Sequence, residues 1–135
     1  MIYILIVHVK KDCFIDTGKL GSIFFKKGFY AYIGSAMRGW RKRIERHLRK
    51  EKRKRWHIDY LTTKFNVVKV FIKKGIKREE QEIAFLLEKE LPFIKNFGSS
   101  DTKNKSHFFF SREIEEIEKI LETKGFNLFY NKEEF

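Results

Sequence analysis

Phe29-Tyr30-Ala31-Tyr32-Ile33-Gly34-Ser35-Ala36 runs into Arg38, Trp40, Arg43, Ile44, His47 and Leu48 before the chain turns almost wholly basic. The first part is aromatic and β-branched, short, and closed by Gly34-Ser35-Ala36, so it predicts a strand. Tyr30 and Tyr32 lie two residues apart on it and therefore point to one side. Beyond it the period changes. Trp40, Ile44 and Leu48 recur at i, i+4 and i+8, an apolar stripe that should face a sheet, on a helix expected from about Arg38 to Lys50. Arg43 and His47, one turn apart, border that stripe, while Arg38, Lys42, Arg46 and Arg49 point toward solvent. One strand thus delivers phenols beside a helix that delivers a guanidinium and an imidazole.

Working outward, Ile23 to Phe25 and Phe29 to Ile33 predict a hairpin turning at Lys26-Lys27-Gly28, where Gly28 can take a positive φ. Tyr3 to Val9 reads as a buried strand, and Lys10 to Lys19, with Asp16-Thr17-Gly18, as a polar loop. Downstream, Trp56 to Thr62 predicts a short helix packing Trp56, Ile58 and Leu61, and Val67 to Ile72 a strand. Arg78 to Glu90 predicts an amphipathic helix with Ile83, Leu86 and Leu87 inward. Phe97 to Asn104 reads as a loop and Phe108 to Phe110 as a strand. Arg112 to Thr123 is a second amphipathic helix, with Ile114, Ile117 and Leu121 inward and Gly125 as its C-cap. Leu128 to Tyr130 is a last strand, followed by a charged tail. The fold class expected is α/β, an α+β sandwich in which a small, mostly antiparallel sheet is flanked by helices, as a single domain over residues 1–135.

Composition bounds what such a domain can be. With 135 residues, 42% of them hydrophobic and fifteen of them Phe, the chain can bury a real core. Cys13 is the single cysteine, which excludes an internal disulfide and a cysteine-based zinc site. Ile2 to Val9 is shorter than the hydrophobic region of most secretory signals, and no stretch approaches the ~20 apolar residues that a bilayer requires. A soluble, cytoplasmic protein without a membrane partner is expected.

The net charge of +12 is concentrated: eleven Lys or Arg fall between Arg38 and Arg55, against Glu45 and Glu51 alone. A focused positive field attracts a polyanion, so nucleic acid, chiefly DNA, is the expected partner. Tyr30, Arg38, Arg41, Lys42, Arg46, Arg49, Arg53 and Arg55 are the candidates for holding it. Tyr3 from the first strand, Tyr32, Arg43 and His47 then suit the chemistry of a phosphate. Arginine can fork onto phosphate oxygens. A phenol, a poor base at its usual pKa of ~10, becomes useful where a nearby cation lowers it. His57, beside Trp56 and Asp59, is a further candidate. Asp101 and His107 either line the site or cap a loop, with the structural role favoured.

The order of these residues resembles the GIY-YIG nucleases. Tyr32-Ile33-Gly34-Ser35-Ala36, then Arg43 and His47, look like the second half of that signature; Met1-Ile2-Tyr3 looks like the first, with Met1 where the family has Gly. Further stretches are similar to an archaeal and bacterial family of uncharacterised GIY-YIG-type domains, sometimes fused to a DNA glycosylase. They are Gly18-Lys19-Leu20-Gly21, Arg46-His47-Leu48, Trp56-His57-Ile58-Asp59-Tyr60-Leu61, Phe97-Gly98-Ser99-Ser100-Asp101 and Ser106-His107. The resemblance implies a metal-dependent endonuclease that hydrolyses DNA phosphodiesters, with repair or branched intermediates as substrates and a repair enzyme as a partner. It implies Tyr3 as the base toward water, Tyr32 at the water network or phosphate, Arg43 on the transition state and His47 as relay or positioning group. One Mg2+ or Mn2+ would ride on a glutamate of the later helix: Glu80, with Glu79 and Glu82 as neighbours. The wider family's late asparagine corresponds to Asn96 or Asn104. The competing expectation is a non-catalytic DNA- or RNA-binding module on the same scaffold.

Overall fold

Strand β1 (Ile2–Val9) lies in the middle of the sheet because both its faces are apolar. In this computed structural model, which describes residues 1–132, it pairs antiparallel with β4 (Gly28–Ser35) on one edge and β5 (Asn66–Lys73) on the other. Strands β6 (Phe108–Ser111) and β7 (Asn127–Asn131) complete a five-stranded antiparallel sheet in the order β6-β4-β1-β5-β7. The charged tail expected at the C-terminus falls partly on residues 133–135, outside the described residues.

Alternation along β1 divides the core in two. Ile2, Ile4 and Ile6 face α3 (Lys77–Glu90) and α4 (Ile114–Thr123), packing with Ile83, Leu87, Ile117 and Leu121. Tyr3, Leu5 and Val7 face the opposite way, toward α1 (Trp40–Leu48), α2 (Asp59–Thr62) and the ribbon of β2 (Cys13–Asp16) and β3 (Ser22–Phe25), packing with Ile44, Ile58, Leu61 and Phe25. Each fully buried Ile or Leu of this strand contributes roughly 2 kcal/mol. A bulge in β5 opposite Ile6 and Val7 lets Lys69 reach across to Glu118 of α4 at 2.8 Å. The molecule is therefore an α+β sandwich, and no helix among the described residues is long and apolar enough to cross a membrane.

Four local expectations are corrected. The hairpin of residues 23–33 does not form: β4 has both edges taken, by β1 and β6, so β3 pairs instead with β2, drawn from the segment expected to be a loop. Gly28 does take a positive φ, 152°, and a Cβ there would stand 2.6 Å from the Phe110 ring, so the glycine admits β6 rather than a turn. Leu86 is exposed, because the face of α3 that meets the sheet runs through Glu80, Ile83, Ala84, Leu87 and the following Leu91. The first helix starts at Trp40, after Gly39 in the left-handed region, so Arg38 precedes it.

Candidate active site

Where β1 begins and β4 ends, the sheet opens into a cleft of about 470 Å3. Tyr3 and Tyr32 rise from the sheet, Arg43 comes from α1, Trp56 and His57 from the connector before α2, Glu80 from α3, and Gly98 to Asp101 with His107 from the loop before β6. Register makes this possible: Tyr3 is paired with Gly34, and a Cβ on Gly34 would lie 2.6 Å from the Tyr3 hydroxyl. The missing side chain is the space the phenol occupies. The Tyr3 hydroxyl shares a hydrogen bond of 3.1 Å with His47 Nε2. Ser35 Oγ donates to Glu80 Oε1 at 2.5 Å, and His107 Nδ1 lies 3.1 Å from Glu80 Oε2. Asn104 ties this arrangement to α3, meeting His107 Nε2 at 2.9 Å and donating from Nδ2 to the Gln81 carbonyl at 3.0 Å. The guanidinium of Arg43 donates to the Ser35 carbonyl at 3.5 Å and stands over Trp56, 5.0 Å from the ring centre.

Burial dominates the electrostatics. It pushes the Tyr3 phenol up to about 12, although the Arg43 guanidinium works the other way. Burial also raises Tyr32, helped by the neighbouring Tyr3 and Glu80. The expectation that a nearby cation would bring these phenols below their usual range is thus reversed: losing water outweighs one guanidinium. His47 is pushed down to about 3, by burial first and then by Lys52, and is neutral at physiological pH. His57, packed on Phe97, is lowered by burial and by Lys19.

The family model described as "Domain of unknown function DUF123" matches residues 2–128. The chain belongs to this family. No curated protein and no solved structure matches it. The span matched by the DUF123 model reaches from β1 into β7, so it contains every residue of the cleft.

In this DUF123 chain the structure brings together Tyr3, Tyr32, Arg43, His57 and Glu80 on the cleft wall, with His47 directly behind Tyr3. Of the neighbouring glutamates, Glu79 turns back to the Ile76 N–H and Glu82 pairs with Arg78, which leaves Glu80 facing the cleft. Tyr30 is not there: although it shares a face with Tyr32, it is 1% exposed and donates to the Lys26 carbonyl at the other end of the strand. Arg46 is corrected as well, since it turns inward to fork onto the buried Asp59 at 3.0 and 2.8 Å. Arg38, Arg41, Lys42, Arg49, Arg53 and Arg55 remain on the surface, and Arg55 borders the cleft. Asn96 is exposed at a φ of 64°, so Asn104 is the asparagine that reaches the site. Of the two readings for His107, the structure has it line the site, where it bridges Glu80 and Asn104, and Ser35 and Trp56 also join the site. The Ser35-containing motif, the Trp56-His57 pair and the Ser106-His107 stretch carried the sequence signal for this.

As for a divalent ion, no group of three His, Cys, Asp or Glu among the described residues is arranged to hold one. Asp101 on the rim is paired with Lys77 at 3.0 Å. Glu80 Oε1 accepts from the Ser35 hydroxyl and Oε2 meets His107, so each oxygen has one polar neighbour and a lone pair to spare, which fits Mg2+ or Mn2+ retaining most of its water.

Proposed function

We propose that this DUF123 domain is a metal-dependent endonuclease of the GIY-YIG type that hydrolyses nucleic-acid phosphodiesters, DNA in the first place. The observation that carries the reading is the convergence of two phenols, a guanidinium and one carboxylate on a single cleft beside a strongly basic surface. Arg43 is poised to fork onto a phosphate oxygen, and its stacking on Trp56 fixes its plane. His47 can carry its proton on Nε2 or Nδ1. Because Nδ1 is buried with no hydrogen-bond partner among the described residues, the Nε2–H tautomer leaves a bare lone pair there rather than a bare donor, the cheaper of the two. In that tautomer His47 donates to the Tyr3 oxygen, so the Tyr3 hydroxyl is left to address the cleft, and water there, with its own proton. Mg2+ or Mn2+ at Glu80 would supply charge that polarises the phosphate and lowers the pKa of neighbouring acids.

The reading is tested by incubating the purified protein with nicked, flapped, branched and supercoiled DNA in Mg2+ or Mn2+. Cleavage is expected, reduced about 100-fold or more in Arg43→Ala, and abolished together with its metal dependence in Glu80→Gln. Absence of cleavage on every substrate, or full activity in Arg43→Ala, would overturn it. A second reading, a non-catalytic nucleic-acid-binding module, is favoured by the phenol of Tyr3 standing at about 12. It predicts tight, salt-sensitive binding without any product.

A further inference from the structure

At the other end of the sheet the ribbon of β2 and β3 leaves two phenylalanines in water. Phe14 and Phe24 are direct cross-strand partners with ring centres 5.2 Å apart, and Phe14 is 71% exposed. The opposite face of the ribbon is given to the core through Ile15 and Phe25, so strand alternation forces the Phe pair outward. Beside Phe24 runs a groove of about 640 Å3 that also carries the rings of Phe29 and Phe110 and the charges of Lys26, Lys27 and Arg112. Lys10 belongs to the same patch: burial, then Lys10 and Lys27, push the pKa of His8 down, and His8 lines this groove.

The balance of charge says what the groove attracts. Two carboxylates line it, Asp12 and Glu113, and Asp12 accepts from the Lys27 backbone N–H at 2.7 Å, closing the turn. Lys10, Lys26, Lys27 and Arg112 form no ion pair among the described residues, whereas Lys69, Lys77 and Lys124 each have one. Unpaired ammonium groups beside exposed aromatic faces suit a polyanion that also offers flat apolar surfaces. Single-stranded nucleic acid does so; a duplex keeps its base faces stacked on each other.

We propose that the Phe14–Phe24 pair and the adjoining basic groove form a second nucleic-acid site, which takes an unpaired strand. It rests on the reading of the cleft as a nucleic-acid site only for how the two cooperate. β4 joins them, with Gly28 at the groove and Ser35 at the cleft, a run of roughly 23 Å. That matches about seven nucleotides at the rise of B-form DNA. The arrangement selects substrates in which a single-stranded tail begins about that far from the bond cut.

The test is fluorescence anisotropy with a labelled oligothymidylate and a labelled blunt duplex of equal length, after circular dichroism has verified folding. In the double variant F14S/F24S, affinity for oligothymidylate should fall about tenfold or more while duplex affinity moves less than about twofold. In K26Q/K27Q, which keeps the rings, the slope of log affinity against log salt for oligothymidylate should shrink by about 1 to 2. Unchanged oligothymidylate affinity in F14S/F24S, or equal losses for both probes, would overturn the proposal. So would an acidic peptide that competes for the groove while oligothymidylate does not, which would assign it to a protein. Cleavage is scored separately with Arg43→Ala, so a failure of the cleft as a nuclease is read from product formation alone and leaves the comparison of the two probes in F14S/F24S untouched.

Discussion

His47 meets the Tyr3 hydroxyl through one nitrogen and keeps the other buried, and this sets how the protein responds to acid. Its folded pKa of about 3 lies below the ordinary imidazole value of 6.5. Burial is the main cause; Lys52, Arg46 and Arg43 add to it and Asp59 opposes it. Below pH 6.5 the unfolded chain takes up a proton that the native state refuses, so stability falls continuously as pH drops toward 3. At pH 5 the cost is ~2 kcal/mol. Urea unfolding at pH 7 and pH 5 should therefore show a loss in the unsubstituted protein that is clearly smaller in His47→Asn. Equal losses in the two proteins would mean that the imidazole titrates freely. Arg43 is a different case: half-buried between Ser35 and Trp56, it retains a face toward the cleft, the arrangement a phosphate-gripping residue needs.

At the scale of elements, α1 and α2 are held together by Asp59. Its carboxylate accepts two bonds from Arg46 and one each from the Arg55 and Trp56 N–H groups. Burial disfavours the charge, but these donors outweigh it and hold the carboxyl below its usual range. The same bonds fix the connector that carries Trp56, against which Arg43, Arg46 and Arg55 all stack. Asp59→Asn keeps the shape and removes the charge, leaving Arg46 partly buried without its partner. A loss of about 3 kcal/mol is expected in urea unfolding, with altered Trp56 fluorescence as the connector loosens. A change below about 0.5 kcal/mol would mark the pair as solvated.

Over the whole molecule the basic surface is asymmetric. Arg46 is withdrawn into an ion pair, and Arg38, Arg41, Lys42, Arg49, Arg53 and Arg55 remain exposed, with Arg55 bordering the cleft. If each of these six neutralises one phosphate, log affinity for duplex DNA should fall against log salt with a slope of about −5. Replacing Arg53 and Arg55 together with Ala should bring it closer to zero by about 2. A flat salt dependence would remove nucleic acid as the partner of this surface.

The positions of the helices and of every strand but β2, and the candidates Tyr3, Tyr32 and Arg43 that line the cleft, were legible in the chain because hydrophobic period and motif spacing are local properties; Glu80 was named only through the family resemblance. The rest depended on which segments meet. Tyr30 and Tyr32 share a face, yet one is sealed in the core and the other lines the cleft, because only packing across the sheet sets where water stops. Arg46 reads as solvent-facing until Asp59 of another helix stands opposite it, and His107 as a loop residue until α3 brings Glu80 to its ring. β3 left its neighbour β4 because β6, from far along the chain, already held that edge. The direction of the phenol pKa shifts followed the same logic: the cation was readable beside the tyrosines, but burial, which outweighs it, exists only once the fold has closed over them.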